Sequence, residues 1–385
     1  MTVESGTTST TQRAPARTAI THARVFDGRQ LTPSRTVVIE GGVISADIST
    51  RGAVVVDAAG GVLLPGLIDA HVHLGGRQDL EQLCSWGVTT ALDMGCWPPQ
   101  LLDGLRAEAG AGPLVDLRSA GTPAIGDRGP HAQMLSPDAH AVVTDPRDAG
   151  SFLAARLAQG SDFLKIVAEA PGRGGPDQPT INALTTAAHG HNLQVIVHAL
   201  SATAVVMALD AGADVITHAP LDRPLSEAEV ARMAVQHGVA VPTLVTMEGL
   251  AAAIPGASFA SAAETVTALR RAGVTILAGS DANAGPGAPF QAQHGPGLHQ
   301  ELELLVAVGL TPVQALVAAT SAPARTFELT DRGAVEPGLR ADLVLLDADA
   351  DPLADIRATR SIRTVWCAGH QGGSVSPETN HQLAT

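Results

Sequence analysis

Four histidines, one lysine and one aspartate carry the chemistry that can be read in this chain. In LIDAHVHL, His71 and His73 stand two residues apart, and on a strand that spacing turns both imidazoles to one face, where they can share a metal ion. Taken alone, H-x-H is equally the pattern of two solvated or hydrogen-bonded histidines. Later segments repeat the arrangement. Lys165 lies in FLKIVAE, His198 in VIVHAL, His218 in VITHAP and Asp281 in ILAGSDA, each at or just after an apolar run. Six candidate ligands at five strand ends are the pattern expected of a shared metal centre.

Lys165 is the only lysine in the 385 residues, and every other basic side chain is arginine. Its neighbours Phe163, Leu164, Ile166 and Val167 mark the segment as buried, where an ammonium is costly. Desolvation and nearby cations both favour the free amine. Such an amine can add carbon dioxide and become a carbamate, a carboxylate on a long stem able to bridge two cations. Arginine cannot do this, because it does not deprotonate in proteins. The plainer alternative is a lysine paired with Asp162 or Glu169.

Imidazole and carboxylate donors without thiolate favour zinc, with manganese, iron or cobalt as alternatives. Two divalent metal ions about 3.5 to 4 Å apart would activate water and polarise a carbonyl. Asp281 beside that water can take a proton and return it to a leaving group.

These residues need a scaffold that brings strand ends together. From Gly61 the chain alternates apolar strand and alanine-rich helix eight times, through VLLPGLIDAHVHL, VTTALDMG, LVDLRSAG, DFLKIVAE, QVIVHAL, ADVITHA, VAVPTLV and VTILAGSD. That rhythm predicts an α/β protein, a (β/α)8 TIM barrel over 61–329 with its site at the C-terminal strand ends. A doubly wound sheet is the alternative, weakened because no G-x-G-x-x-G follows the first strand. Short β-like runs at 17–60 and 330–370 are each too small for a core, and are expected to join as one discontinuous β-sandwich domain. Residues 1–16 and 371–385 read as flexible polar tails.

The net charge of −14 comes with scattered arginines and no basic patch, which argues against a nucleic-acid partner. No run of about 18 apolar residues suggests a membrane span. Three cysteines without metal-like spacing suit a reducing, cytoplasmic setting. There is no tyrosine, so no phenol can act as acid or nucleophile. The expected partner is a small-molecule substrate, and a homo-oligomer is left open.

Together, PGLIDAHVHL, the strand lysine, VHA, THA, GSDA and the closing ADLVLLD resemble the amidohydrolase superfamily over residues 18 to 370. HGPGLHQELELLVAVGLTPVQALVAATSAPAR resembles its imidazolonepropionase-like and bacterial prolidase-like branch. The resemblance implies a barrel with a composite sandwich and hydrolysis of amide or peptide bonds. It gives His71, His73 and Asp281 to one metal and His198 and His218 to the other, with the Lys165 carbamate between them. Ser280 stands where the family often has threonine, and Leu200 where a second histidine is common, which bears on substrate class. It also makes His131 a loop histidine facing substrate, against the alternative of a surface histidine. Arg128 is a candidate for a substrate carboxylate, and His294 lies in a Gly/Pro-rich loop able to cover the site. Lactonase, esterase or lyase (decarboxylase) chemistry on the same centre is the nearest alternative, and a metal-free scaffold is a further one.

Overall fold

The computed structural model describes residues 17–134, 140–285 and 287–372. The expected tail at 1–16 and most of that at 371–385 lie outside this range. The strands are β1 (Arg17–Val25), β2 (Arg35–Glu40), β3 (Val43–Ser45), β4 (Val54–Asp57), β5 (Val62–Pro65), β6 (Leu67–Val72), β7 (Val88–Asp93) and β8 (Asp116–Ser119). There follow β9 (Leu164–Val167), β10 (Val195–His198), β11 (Val215–Thr217), β12 (Val239–Val241), β13 (Thr275–Ile276), β14 (Leu343–Leu346), β15 (Ile362–Cys367) and β16 (His370–Gln371).

Strands β6 to β13 are the eight expected from the apolar runs, and each pairs in parallel with its sequence neighbour in two arcs, β6-β7-β8 and β9 through β13. Backbone hydrogen bonds continue across both gaps. Ala70 N and His73 N donate to Ala278 and Ala282 carbonyls, and Val167 N donates to Ala124. Helices between the strands bury the outer faces. The strands are therefore apolar on both sides, as parallel strands covered by helices must be. Phe163, Ile196, Val215, Val241 and Leu277 form an inner cluster, while Leu164, Ile166, Val197 and Ile216 join the helices in the outer core. Helix starts follow local capping chemistry: Ser201 accepts from Ala204 N, and Ser226 with Glu229 forms a reciprocal capping box.

The run VLLPGLIDAHVHL, expected as one strand, divides at Gly66. Its first half, β5, pairs with β1 and β14 in an eight-stranded sheet made of β1–β5 and β14–β16. A Cβ at Gly66 would collide with the Thr89 side chain, and Gly66 N donates to Asp342 O at 2.7 Å. The chain thus passes between sheets at the one residue small enough to turn there. Ile20, Val37, Ile39, Leu63, Leu345 and Trp366 give this sheet its own core from both ends of the chain. Cys84 and Cys367 come within 3.2 Å at Sγ as free, buried thiols. No helix among the described residues is long and apolar enough to cross a membrane.

The eight-stranded sheet and the β6-β7-β8 arc are tied by buried charge. Arg332, only 3% exposed at its side chain, reaches Asp116 at the start of β8 at 2.7 Å, Asp331 at 2.8 Å and the Thr90 hydroxyl of β7 at 2.8 Å. Its charge offsets Asp116 and the buried Asp342, 3.9 Å away. Arg340 also reaches both carboxylates, Asp342 at 3.0 Å and Asp116 at 3.4 Å. Removing Arg332 therefore leaves them one remaining partner and costs about 1–3 kcal/mol, rather than the about 3–5 kcal/mol of a buried charge left unpaired. Arg332→Met is expected to lower the urea midpoint by a corresponding amount. A change below about 1 kcal/mol would show that the carboxylates relax into solvent.

Candidate metal centre

His71 and His73 sit at the end of β6, where the register with β7 shifts between Asp69 and Val72. Both rings meet one carboxylate: each Nε2 lies 3.3 Å from Asp281 Oδ1. His73 Nδ1 engages the Gly95 carbonyl at 3.2 Å, which leaves Nε2 as its free donor atom. His218 Nδ1 lies 4.0 Å from Asp281 Oδ2, and its ring is 4.9 Å from that of His71 and 4.4 Å from that of His198. Lys165 Nζ donates to Thr217 Oγ1 at 2.8 Å. Asp162 instead pairs with arginines and Glu169 with His131, so neither carboxylate neutralises the lysine.

The backbone is held in costly conformations here. His218, Thr243 and Asp281 have φ of 74°, 48° and 55°, a region L-residues rarely occupy unless the surroundings enforce it. Asp281 N donates to His71 O at 2.7 Å and His218 N to Val241 O at 2.8 Å. Asp69, fully buried, accepts from Ser280 N at 2.9 Å and from Ser280 Oγ at 2.6 Å, joining β6 to the segment that follows β13.

Burial sets the protonation pattern. Desolvation, reinforced by the other cationic groups, holds His71 and His198 well below the usual imidazole range. Burial brings His218 down to about 3 and the Lys165 amine down to about 7. At Asp281, burial pushes upward, but the His73 hydrogen bond and the surrounding cations outweigh it and keep the carboxyl below its ordinary value. Neutral imidazoles, an amine able to lose its proton and an ionised carboxylate are the forms that bind cations. His71, His73 and Asp281 offer ligand atoms within 4.8 Å of one another. Both ring nitrogens of His71 are buried without a hydrogen-bond partner among the described residues, a cost that a coordinated ion would remove. The donor set therefore fits a divalent metal.

Of the second-rank residues, His131 joins the cluster, its ring 4.7 Å from that of His198. His294 is 4% exposed and braces the ligand strand, with Nε2 at 3.0 Å from His73 O and Nδ1 at 3.3 Å from Asp79. Arg128 is largely exposed and pairs with its neighbour Asp127.

The family model described as "Amidohydrolase family" matches residues 62–372. This chain belongs to that family. Amidohydrolases are hydrolases, and this one acts on carbon–nitrogen bonds. The chain is 28% identical to a 5-methylthioadenosine/S-adenosylhomocysteine deaminase of Halobacterium salinarum, with 86% of each chain covered. It is 34% identical to the imidazolonepropionase of Deinococcus deserti over 48% of this chain, and spans less than half (43%) of that enzyme's length. A solved Xaa-Pro dipeptidase with bound methionine superposes with a TM-score of 0.79 at 22% identity, covering 92% of this chain and 99% of that one. That likeness shows the fold, an α/β fold of the TIM-barrel type.

The supporting residues Asp69, Thr217, Thr243 and Glu301 are not singled out by sequence pattern, although Asp69 alternates with His71 in LIDAHVH. In this amidohydrolase the Thr243 hydroxyl is used on His218 Nδ1 at 2.8 Å and cannot cap the helix Leu244–Ala253 that it precedes. Glu301, from the helix Pro296–Ala307, supplies the acceptor instead, taking Val245 N at 2.8 Å. Burial pushes the Glu301 carboxyl up to about 8. A carboxyl that holds its proton more tightly when folded loses stability as pH rises from its unfolded value through 8. Wild-type thermal midpoints should therefore fall relative to those of Glu301→Gln between about pH 5 and pH 9. Parallel curves would show that Glu301 is ionised throughout.

Proposed function

We propose that this amidohydrolase is a binuclear metal enzyme that cleaves an amide or peptide bond in a small molecule. His71, His73, Lys165, His198, His218 and Asp281 would hold the two cations. The observation that carries this reading is the buried donor set in which His71 makes no hydrogen bond at either ring nitrogen among the described residues. The names of the relatives, an imidazolonepropionase and a deaminase, favour carbon–nitrogen over ester bonds. In this reading the two parallel arcs form one closed barrel over residues 61–329, and the eight-stranded sheet forms a composite sandwich from 17–60 and 330–370. Three free cysteines support the cytoplasm as compartment.

Bound divalent ions, zinc by donor type, would supply activated water and polarise the scissile carbonyl. The chain's own groups do the rest. Asp281, kept ionised by His73, accepts the proton of attacking water and returns it to the leaving nitrogen. Lys165, with its amine brought to about 7 by burial, can add carbon dioxide at Nζ, releasing a proton and gaining a carboxylate. The Thr217 hydroxyl that now accepts from Nζ can turn and donate to that carboxylate.

Elemental analysis of purified protein should find about two metals per chain, and Lys165→Ala should lose most of that content. Native mass spectrometry should show one added carbon dioxide in wild type and none in Lys165→Ala. Metal-free wild type with unchanged properties in the mutant would leave a scaffold. A screen of N-acyl amino acids, dipeptides, cyclic amides and lactones should give turnover on an amide, reduced about 100-fold or more in Asp281→Asn. Turnover of lactones alone would move the assignment to an esterase, and none with metal bound would move it to a lyase.

A further inference from the structure

Glu169 lies four residues beyond Lys165, in the loop after β9, and no step above uses it. Its side chain is nine-tenths buried, and Oε1 lies 3.2 Å from His131 Nδ1. Oε2 has no partner among the described residues. A carboxylate kept in that condition is costly, so its retention asks for a use beyond packing. Two loops are built closely to allow it. A Cβ on Gly129 would collide with the Glu169 carboxylate, one on Gly126 would collide with Gly174 O, and Gly174 has φ of 94° against the backbone of Arg128 and Gly129. Only glycine at these points lets the loop after β8 lie on the loop after β9 and set His131 over Glu169. The His131 and His198 rings meet edge-on, their centroids 4.7 Å apart.

Resting on the amide-hydrolase reading above, we infer that Glu169 is a positioning residue for His131, which it holds as the Nδ1–H tautomer with Nε2 presented to the substrate as a hydrogen-bond acceptor. A neutral imidazole whose Nδ1–H donates to a carboxylate carries its lone pair on Nε2. The group it accepts is an N–H of the substrate near the scissile bond. The favoured substrate class is therefore a secondary amide or an amide flanked by an amine. N-methylated, ester and lactone counterparts lack that donor.

The test compares wild type, Glu169→Ala, Glu169→Gln and His131→Ala, metal-loaded, on an N–H amide and its N-methyl isostere. Glu169→Ala and His131→Ala are expected to raise KM about tenfold on the N–H substrate, with kcat nearly unchanged and little effect on the isostere. Glu169→Gln should stay within about threefold of wild type, because the amide oxygen can accept the same Nδ1–H. Equal losses on both substrates, or a glutamine variant as impaired as alanine, would overturn the inference. A second measurement needs no turnover: long-range 15N–1H spectra, with His131→Ala for assignment, should show the Nδ1–H tautomer in wild type and Glu169→Gln but not in Glu169→Ala. If the tautomer shifts as expected while no amide is hydrolysed, the functional reading fails and the positioning role stands. If amides turn over and the tautomer does not respond to Glu169→Ala, the positioning role fails alone.

Discussion

Removing polar groups from water is the constraint on which this structure turns. Four imidazoles, an amine and a carboxylate meet at the C-terminal ends of two arcs of apolar parallel strands, where burial works against their charged forms. In water these groups would be a mixture of protonation states near neutrality. In the buried strand ends His71, His198 and His218 are forced neutral, whereas at His73 burial pushes downward but the Asp281 hydrogen bond outweighs it and holds the imidazole above its ordinary value. The aspartate stays charged because His73 and the neighbouring cations compensate for its burial. The same desolvation that costs stability makes the cluster attractive to a dication, whose charge replaces the protons that burial has expelled.

Such a cluster needs its surroundings to be stiff, and much of that stiffness is backbone. The left-handed conformations of His218, Thr243 and Asp281 are paid for by hydrogen bonds to neighbouring strands. The hydroxyl of Thr243 goes to His218, and the helix it abandons is capped from a distance by Glu301. His294 holds the His73 carbonyl and Asp69 holds Ser280. His218, His73 and the residue before Asp281 thus each have a partner that holds them in place.

The sequence showed the eight parallel strands because burial on both faces writes each as an unbroken apolar run. It showed the six clustered residues because each interrupts or ends such a run with a group that does not belong there. Other features left no such trace. The change of sheet at Gly66 falls inside one apolar run, and only the Thr89 side chain across the gap reveals it. Arg332 looks like any other arginine until Asp116 and Asp342 arrive from distant parts of the chain. His294, in a glycine- and proline-rich loop able to cover the site, is buried against the His73 carbonyl and Asp79, a contact that the loop's composition does not reveal. Arg128 shows the same gap, since its neighbour Asp127 satisfies it locally.

The bond between Ser280 and Asp69 joins residues 211 apart in sequence, and Asp281 leans on His71 across nearly the same distance. During synthesis, then, the first two histidines leave the ribosome long before the aspartate that completes their set. The strands between them must wait as an open, apolar arc, and β5 must wait longer still for β14. Contacts of such long range close slowly. The nascent chain is therefore most exposed to misassociation in the interval before residue 281 emerges, and a truncated product ending short of that point would carry imidazoles with no site to share.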